Sequence, residues 1–107
     1  MGLLNEICKD ENIRLIKFTD ELGEMLIGDS NIIGQGLAVV QGDKKYVLLD
    51  DTAQKWEKQF TVAHEVAHHL FGHLRPETSI TPQDRENEAN IFASVLIALL
   101  LFQEYKN

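Results

Sequence analysis

Hydrophobic residues near the N-terminus follow two different spacings. Over residues 2–10 the apolar side chains recur at the spacing of one helix face, at Leu3, Leu4, Ile7 and Cys8. This spacing predicts a short amphipathic helix. Residues 13–18 alternate well enough between apolar and polar side chains to predict a strand. The chain is therefore expected to open with a helix and a strand, whereas residues 19–36 show no clear period.

Two β-rich runs in the middle of the chain predict a β-hairpin. Residues 36–41 and 45–49 are rich in the aliphatic and aromatic side chains that strands favour. The dipeptide Gly42-Asp43 between them is typical of a compact turn.

The second half of the chain begins with the pattern of a long amphipathic helix. Six apolar residues recur at helical spacing, namely Trp56, Phe60, Ala63, Ala67, Leu70 and Phe71. Asp51 and Gln54 have the spacing of a capping box, which places the start of this helix beside them. Gly72 is a suitable residue for its end.

A second long helix is expected from about Pro82 to about Tyr105. Thr81 suits its cap, and the N–H that Pro82 lacks is not needed in a first helical turn. Strands early in the chain and helices late predict an α+β fold. We expect a small twisted sheet, built around the hairpin, to pack on the two long helices in a single domain over residues 1–107.

Charge and composition narrow the functional classes. The chain has 107 residues, with 10 basic and 17 acidic side chains and a net charge of −7. This balance argues against a nucleic-acid partner, because such a surface needs clustered Lys and Arg. The apolar run Ile91–Phe102 spans twelve residues, too few to cross roughly 30 Å of hydrocarbon, so no membrane partner is expected.

The cysteine content and the N-terminus indicate a cytoplasmic location. Cys8 is the only cysteine, which excludes an internal disulfide and fits a reducing compartment. We expect Cys8 to be a small core residue. The N-terminal residues lack the basic and apolar regions of a secretory signal peptide.

All four histidines lie between positions 64 and 73, and the first two belong to an H-E-x-x-H sequence. His64 and His68 are four residues apart, so both rings project from one helix face and can bind the same metal ion. Glu65 can reach a metal-bound water without being a ligand itself. Solvated histidines are the alternative, but a random order of this composition produces the motif in only about 1% of chains.

A catalytic zinc usually has three protein ligands, and the second long helix offers Glu86 and Glu88 for the third. Glu86 shares a face with small or polar residues that allow close approach and could orient a ligand, namely Ala89, Asn90 and Ala93. Glu88 points about 160° away. We therefore prefer Glu86 and expect replacement of Glu88 to change zinc affinity little. Both could instead be solvated carboxylates that favour a helix N-terminus.

The two motifs together resemble the ImmA/IrrE family of zinc metallopeptidases. The resemblance is carried by residues 60–68 (FTVAHEVAH) and 86–93 (ENEANIFA), with residues 46–50 (YVLLD) upstream. It covers roughly residues 36–100 and implies a compact gluzincin-like fold. The implied site residues are the zinc ligands His64, His68 and Glu86 and the catalytic base Glu65.

The same resemblance implies a protein substrate. It is typically a helix-turn-helix repressor of a phage or mobile element, whose cleavage induces genes. Two non-enzymatic functions also remain open. One is a zinc-stabilised regulatory or sensor module, and the other is a protein-interaction module that uses the apolar run near the C-terminus.

The remaining histidines and the tyrosines have open roles. We expect His69 to be an exposed polar residue near the helix end, whereas His73, just after Gly72, could turn toward the cleft. Tyr46, Tyr105 and His73 are the side chains to consider as donors to the oxygen of a peptide under attack.

Overall fold

Seven helices and strands make up the described part of the chain, a computed structural model of residues 2–27, 36–50, 52, 54–75 and 79–106. In chain order they are α1 (Gly2–Asp10), β1 (Ile13–Lys17), α2 (Glu21–Ile27), β2 (Gly36–Gln41), β3 (Lys44–Leu49), α3 (Lys55–Leu70) and α4 (Pro82–Lys106). The predicted helices and strands are all present. The short helix α2 lies where the sequence shows no clear period.

The three strands form one sheet in the order β1–β3–β2. β2 and β3 are antiparallel and form the predicted hairpin. Gly42 in its turn has a φ of 63°, a left-handed conformation that glycine adopts without strain. β1 pairs with β3 in parallel, with Ile13 opposite Lys45. Within the described residues, β2 is therefore an edge strand.

The core lies where α3 meets the hairpin on one side and α4 on the other. Val62 and Val66 of α3 are fully buried in one cluster with Val47 of β3 and Ala93 of α4. Cys8 joins this cluster, which confirms its predicted place in the core, and burial raises the pKa of its thiol. The α+β prediction is confirmed.

The predicted apolar stripe of α3 is wrong at its two ends. Trp56 is 63% exposed and Phe71 is 46% exposed. The buried residues of α3 lie between positions 59 and 69, so the first turn extends beyond the buried region. Phe71, at the C-cap, meets Phe92 of α4 edge to face at a centroid distance of 5.8 Å, but this contact does not bury it.

The starts of the two long helices differ in how they are capped. α3 begins after Gln54, which makes no side-chain capping hydrogen bond, and Asp51 lies outside the described residues. At α4 the predicted cap is confirmed, because the backbone N–H of Asp84 donates to Oγ1 of Thr81 at 3.1 Å.

The outward face of α4 is apolar. Its exposed hydrophobic residues include Ile91, Val95, Leu99, Leu101 and Phe102. α4 has 25 residues, and an 18-residue window within it reaches a mean hydropathy of 1.3, so the whole helix, unlike the twelve-residue run considered in the sequence, is long and apolar enough to cross a membrane. Mostly buried core helices of soluble proteins meet the same criterion, but only 22% of this window is buried. α4 packs closely on α3 through Ala89 and Ala93, both fully buried.

Candidate metal centre and active site

A cleft of about 300 Å³ lies between β2, α3 and the start of α4. Ala38 of β2, Glu65 and His68 of α3, and Arg85 and Glu86 of α4 contribute to its lining. The H-E-x-x-H sequence and the acidic start of α4 are therefore brought together, although they are far apart in the chain.

His64 and His68 project from α3 one turn apart, as their spacing predicts. Their Nε2 atoms are 3.3 Å apart, and the two rings meet edge to face with an interplanar angle of 83°. Burial lowers the pKa of His68, an effect that the nearby Glu86 carboxylate opposes. Burial therefore favours the neutral ring, which is the form that can bind a metal ion.

Glu86 reaches both rings from α4. Its carboxylate oxygens lie 3.0 Å from Nε2 of His64 and 3.2 Å from Nε2 of His68. Ala89 and Ala93, on the same helix face, are fully buried, so their small side chains permit the close approach of α4 to α3. Asn90, also assigned to this face, is exposed.

Glu65 lies beside the two rings rather than between them. Its Oε1 is 4.0 Å from Nε2 of His64, and its side chain is largely buried. Loss of solvent raises the pKa of this carboxyl, whereas the neighbouring His64 and a backbone hydrogen bond from Ala38 oppose that rise. The site therefore holds a desolvated carboxylate that one donor from β2 fixes in place.

The donor set of this cleft fits a zinc ion. Ligand atoms of His64, Glu65 and His68 all lie within 4.8 Å of one another, and the Glu86 oxygens lie closer still to the two rings. Two imidazole nitrogens and one carboxylate oxygen are a common ligand set of catalytic zinc. His64, His68 and Glu86 could hold the ion, with Glu65 next to it.

One expectation about a neighbouring residue is corrected, and one contact was not foreseen. His69 is only 8% exposed, and its Nε2 donates to the backbone carbonyl of Tyr46 at 2.7 Å. It faces the sheet because α3 packs on the hairpin at that turn, and burial lowers its pKa. Glu88 lies on the Phe92 side of α4, as its angle from Glu86 predicts, and from there its Oε2 accepts a hydrogen bond from Nε2 of His73 at 3.2 Å.

The three side chains considered as hydrogen-bond donors to a reacting peptide oxygen differ in their distance from the cleft and in their exposure. Tyr105 is 90% exposed near the end of α4, and Tyr46 is buried in the sheet. His73 lines the cleft, in agreement with the expectation that it could turn toward it, but its side chain is only 2% exposed. Arg85 also lines the cleft, and its guanidinium donates to the backbone carbonyl of His73 at 3.2 Å. Sequence analysis missed Arg85, because a basic residue in a first helical turn carries no distinctive signal.

A comparison with protein families gives one match. The model of the Peptidase M78 family, described as an IrrE N-terminal-like domain, matches residues 8–101 and so covers most of the chain. No curated protein and no solved structure matches.

Proposed function

This chain belongs to the IrrE N-terminal-like family of peptidases, and on that premise we propose that it is a zinc-dependent endopeptidase. The family supports a metallopeptidase. The observation that carries the proposal is the convergence of His64, His68 and Glu86 on one point, with the buried carboxylate of Glu65 beside them.

His64, His68 and Glu86 are the proposed zinc ligands. Glu86 is preferred to Glu65 because its two oxygens lie 3.0 and 3.2 Å from the two ring nitrogens, whereas the nearest Glu65 oxygen is 4.0 Å from His64. Three protein ligands leave a position open for water or substrate. A zinc ion there supplies a Lewis acid that activates water and polarises a peptide carbonyl near neutral pH.

Glu65 is the proposed general base. Its desolvated carboxylate accepts the proton of the attacking water and then passes it to the departing amine. The hydrogen bond from the Ala38 N–H keeps the carboxylate oriented toward the cleft, and the raised pKa of Glu65 favours the first transfer because it makes the carboxylate a stronger base. His64 and His68 are assigned no proton transfer, since each would bind the metal ion through its Nε2.

A polypeptide is the proposed substrate. β2 is an edge strand of the described sheet and contributes Ala38 to the cleft, so an extended peptide can add to its free edge and pass Glu65. The family resemblance supports a helix-turn-helix repressor as the natural substrate. Cleavage of that repressor in the cytoplasm would then induce the genes it controls.

The test is incubation of the zinc-loaded protein with a helix-turn-helix repressor encoded in the same genome, followed by mass spectrometry of the products. Wild type should produce a discrete cleavage. Glu65→Gln should produce none, and Glu57→Gln, the same change elsewhere on α3, should behave as wild type. A zinc-loaded wild type that leaves the repressor intact would contradict the proposed substrate and favour the regulatory alternative.

A further inference from the structure

The far side of the His68 ring carries a contact that metal binding does not require. Nε2 of His68 faces His64 and Glu86, whereas Nδ1, on the opposite edge of the ring, lies 3.0 Å from Nδ1 of His73. His73 in turn places its Nε2 3.2 Å from Oε2 of Glu88. A continuous line of hydrogen bonds therefore runs from α4 through His73 to His68.

The end of α3 explains why His73 lies against His68. Gly72 has a φ of +69°, the N–H of Gly72 donates to the carbonyl of His69, and the N–H of His73 donates to the carbonyl of His68. These are the two hydrogen bonds of a Schellman motif, which places the residue after the glycine against the last turn of the helix. That contact is commonly hydrophobic, but here it joins two imidazole rings.

The partners decide which nitrogen of each ring carries a hydrogen. An ionised carboxylate only accepts hydrogen bonds, so the Nε2 of His73 must donate to Glu88. A neutral His73 then has a lone pair on Nδ1, and the 3.0 Å contact requires that Nδ1 of His68 donates to it. A neutral His68 with its hydrogen on Nδ1 has its lone pair on Nε2, which then faces a second acceptor, an oxygen of Glu86, at 3.2 Å. Two acceptors at this distance suit a shared metal ion, whereas without the ion Glu86 would favour a hydrogen on Nε2 of His68. The contact with His73 therefore favours the form of His68 that binds a metal ion.

We propose that His73 and Glu88 are positioning residues, which hold His68 in the tautomer and ring orientation that a metal ion at Nε2 needs. The inference rests on the proposed ligand role of His68. Carboxylates that orient a metal-bound histidine are common, and here an intervening imidazole extends the link by one residue. His64 differs, since its buried Nδ1 has no partner within the described residues. The two rings are therefore oriented by different means.

The position of the two residues allows clean substitutions. The Glu88 side chain is 41% exposed, so Glu88→Ala should fold normally. Asp84→Ala is the matched control, because it also removes a carboxylate from the first turns of α4, and Asp84 is exposed. His73→Phe keeps a ring in a position that is only 2% exposed and removes both nitrogens. Circular dichroism verifies the fold of each variant.

The first measurement is the tautomer of His73 in the metal-free protein, by long-range ¹H–¹⁵N NMR, because the contact of its Nε2 with Glu88 does not involve the metal. In wild type and Asp84→Ala, we expect the hydrogen of His73 on Nε2, which leaves Nδ1 to accept from His68. In Glu88→Ala, His73 should become a mixture of tautomers. If wild-type His73 carries its hydrogen on Nδ1, or if Glu88→Ala leaves its tautomer unchanged, the proposal is wrong.

The second measurement is Zn²⁺ affinity in competition with a chelator. Glu88→Ala and His73→Phe should each weaken binding by about 10–100-fold, the usual loss for a group that orients a ligand, and Asp84→Ala should not. Because the two residues act in series, the double variant should bind no more weakly than His73→Phe. Losses that multiply, or an effect of Asp84→Ala equal to that of Glu88→Ala, would contradict the link. A wild type that binds no zinc would instead refute the proposed metal site, and the tautomers would still report on the hydrogen bonds.

Discussion

Gly36→Ala should destabilise the domain at the point where β2 passes the Glu65 carboxylate. A Cβ at this position would overlap Cγ2 of Thr61 and lie 3.3 Å from Cγ of Glu65 and from the backbone oxygen of Leu48. Overpacking of a filled interior costs about 1–3 kcal/mol. In a domain of this size, each kcal/mol lowers the melting temperature by roughly 4–8 °C.

The methyl carbon that the new Cβ would overlap, Cγ2 of Thr61, can be removed to test this reasoning. Thr61→Ser deletes Cγ2, so Gly36→Ala combined with Thr61→Ser should recover most of the free energy of unfolding that Gly36→Ala loses. Gly2→Ala is the control, since a Cβ there meets nothing within 4 Å. Urea unfolding of the metal-free proteins measures these three variants together with the Thr61→Ser single variant. The reasoning is wrong if Gly36→Ala unfolds at the same urea concentration as Gly2→Ala. It is also wrong if the free energies of unfolding lost in Gly36→Ala and in Thr61→Ser add up in the double variant, because β2 would then not be packed against Thr61 of α3.

Three further outcomes follow from the site and the core. Glu86→Gln should weaken Zn²⁺ binding by more than ~100-fold, because the loss of a ligand costs more affinity than the loss of a group that orients one. If competition with a chelator shows a smaller loss of affinity for Glu86→Gln than for Glu88→Ala, Glu86 is not the ligand. Thr81→Ala should lower the free energy of unfolding by about 1 kcal/mol, whereas Thr81→Ser should retain the cap, and equal stabilities in urea would show that the cap is unimportant. The Cys8 thiol, which is buried and has a raised pKa, should react with an aromatic disulfide reagent only as the protein unfolds, so immediate reaction of the native protein would contradict its place in the core.

The elements that sequence analysis predicted well are those determined by local spacing. The hairpin follows from two β-rich runs around Gly42-Asp43, and the start of α4 follows from Thr81 and Pro82. The shared face of His64 and His68 follows from the helical repeat alone. The choice of Glu86 over Glu88 as the carboxylate nearest the two rings also follows from helix geometry, because Ala89 and Ala93 on the Glu86 face are small enough to let α4 approach α3.

The features that sequence analysis missed depend on contacts between distant parts of the chain. The parallel pairing of β1 with β3 joins strands separated by a helix and by β2, and alternation within β1 contains no information about its neighbour. His69 was expected at the surface because it is polar, yet the hairpin supplies the Tyr46 carbonyl that makes its burial possible. Glu88 was assigned by its angle around α4, whereas its hydrogen-bonding partner, His73, reaches it from the turn after Gly72.

Zinc content is the most direct test of the central claim, that His64, His68 and Glu86 hold a metal ion beside the base Glu65. Elemental analysis of proteins purified and dialysed in parallel should give about one zinc per chain for wild type and for Glu65→Gln, and almost none for His68→Ala. Full zinc in His68→Ala would contradict the proposed ligands. Loss of zinc in Glu65→Gln would show that Glu65 binds the metal and is not the base.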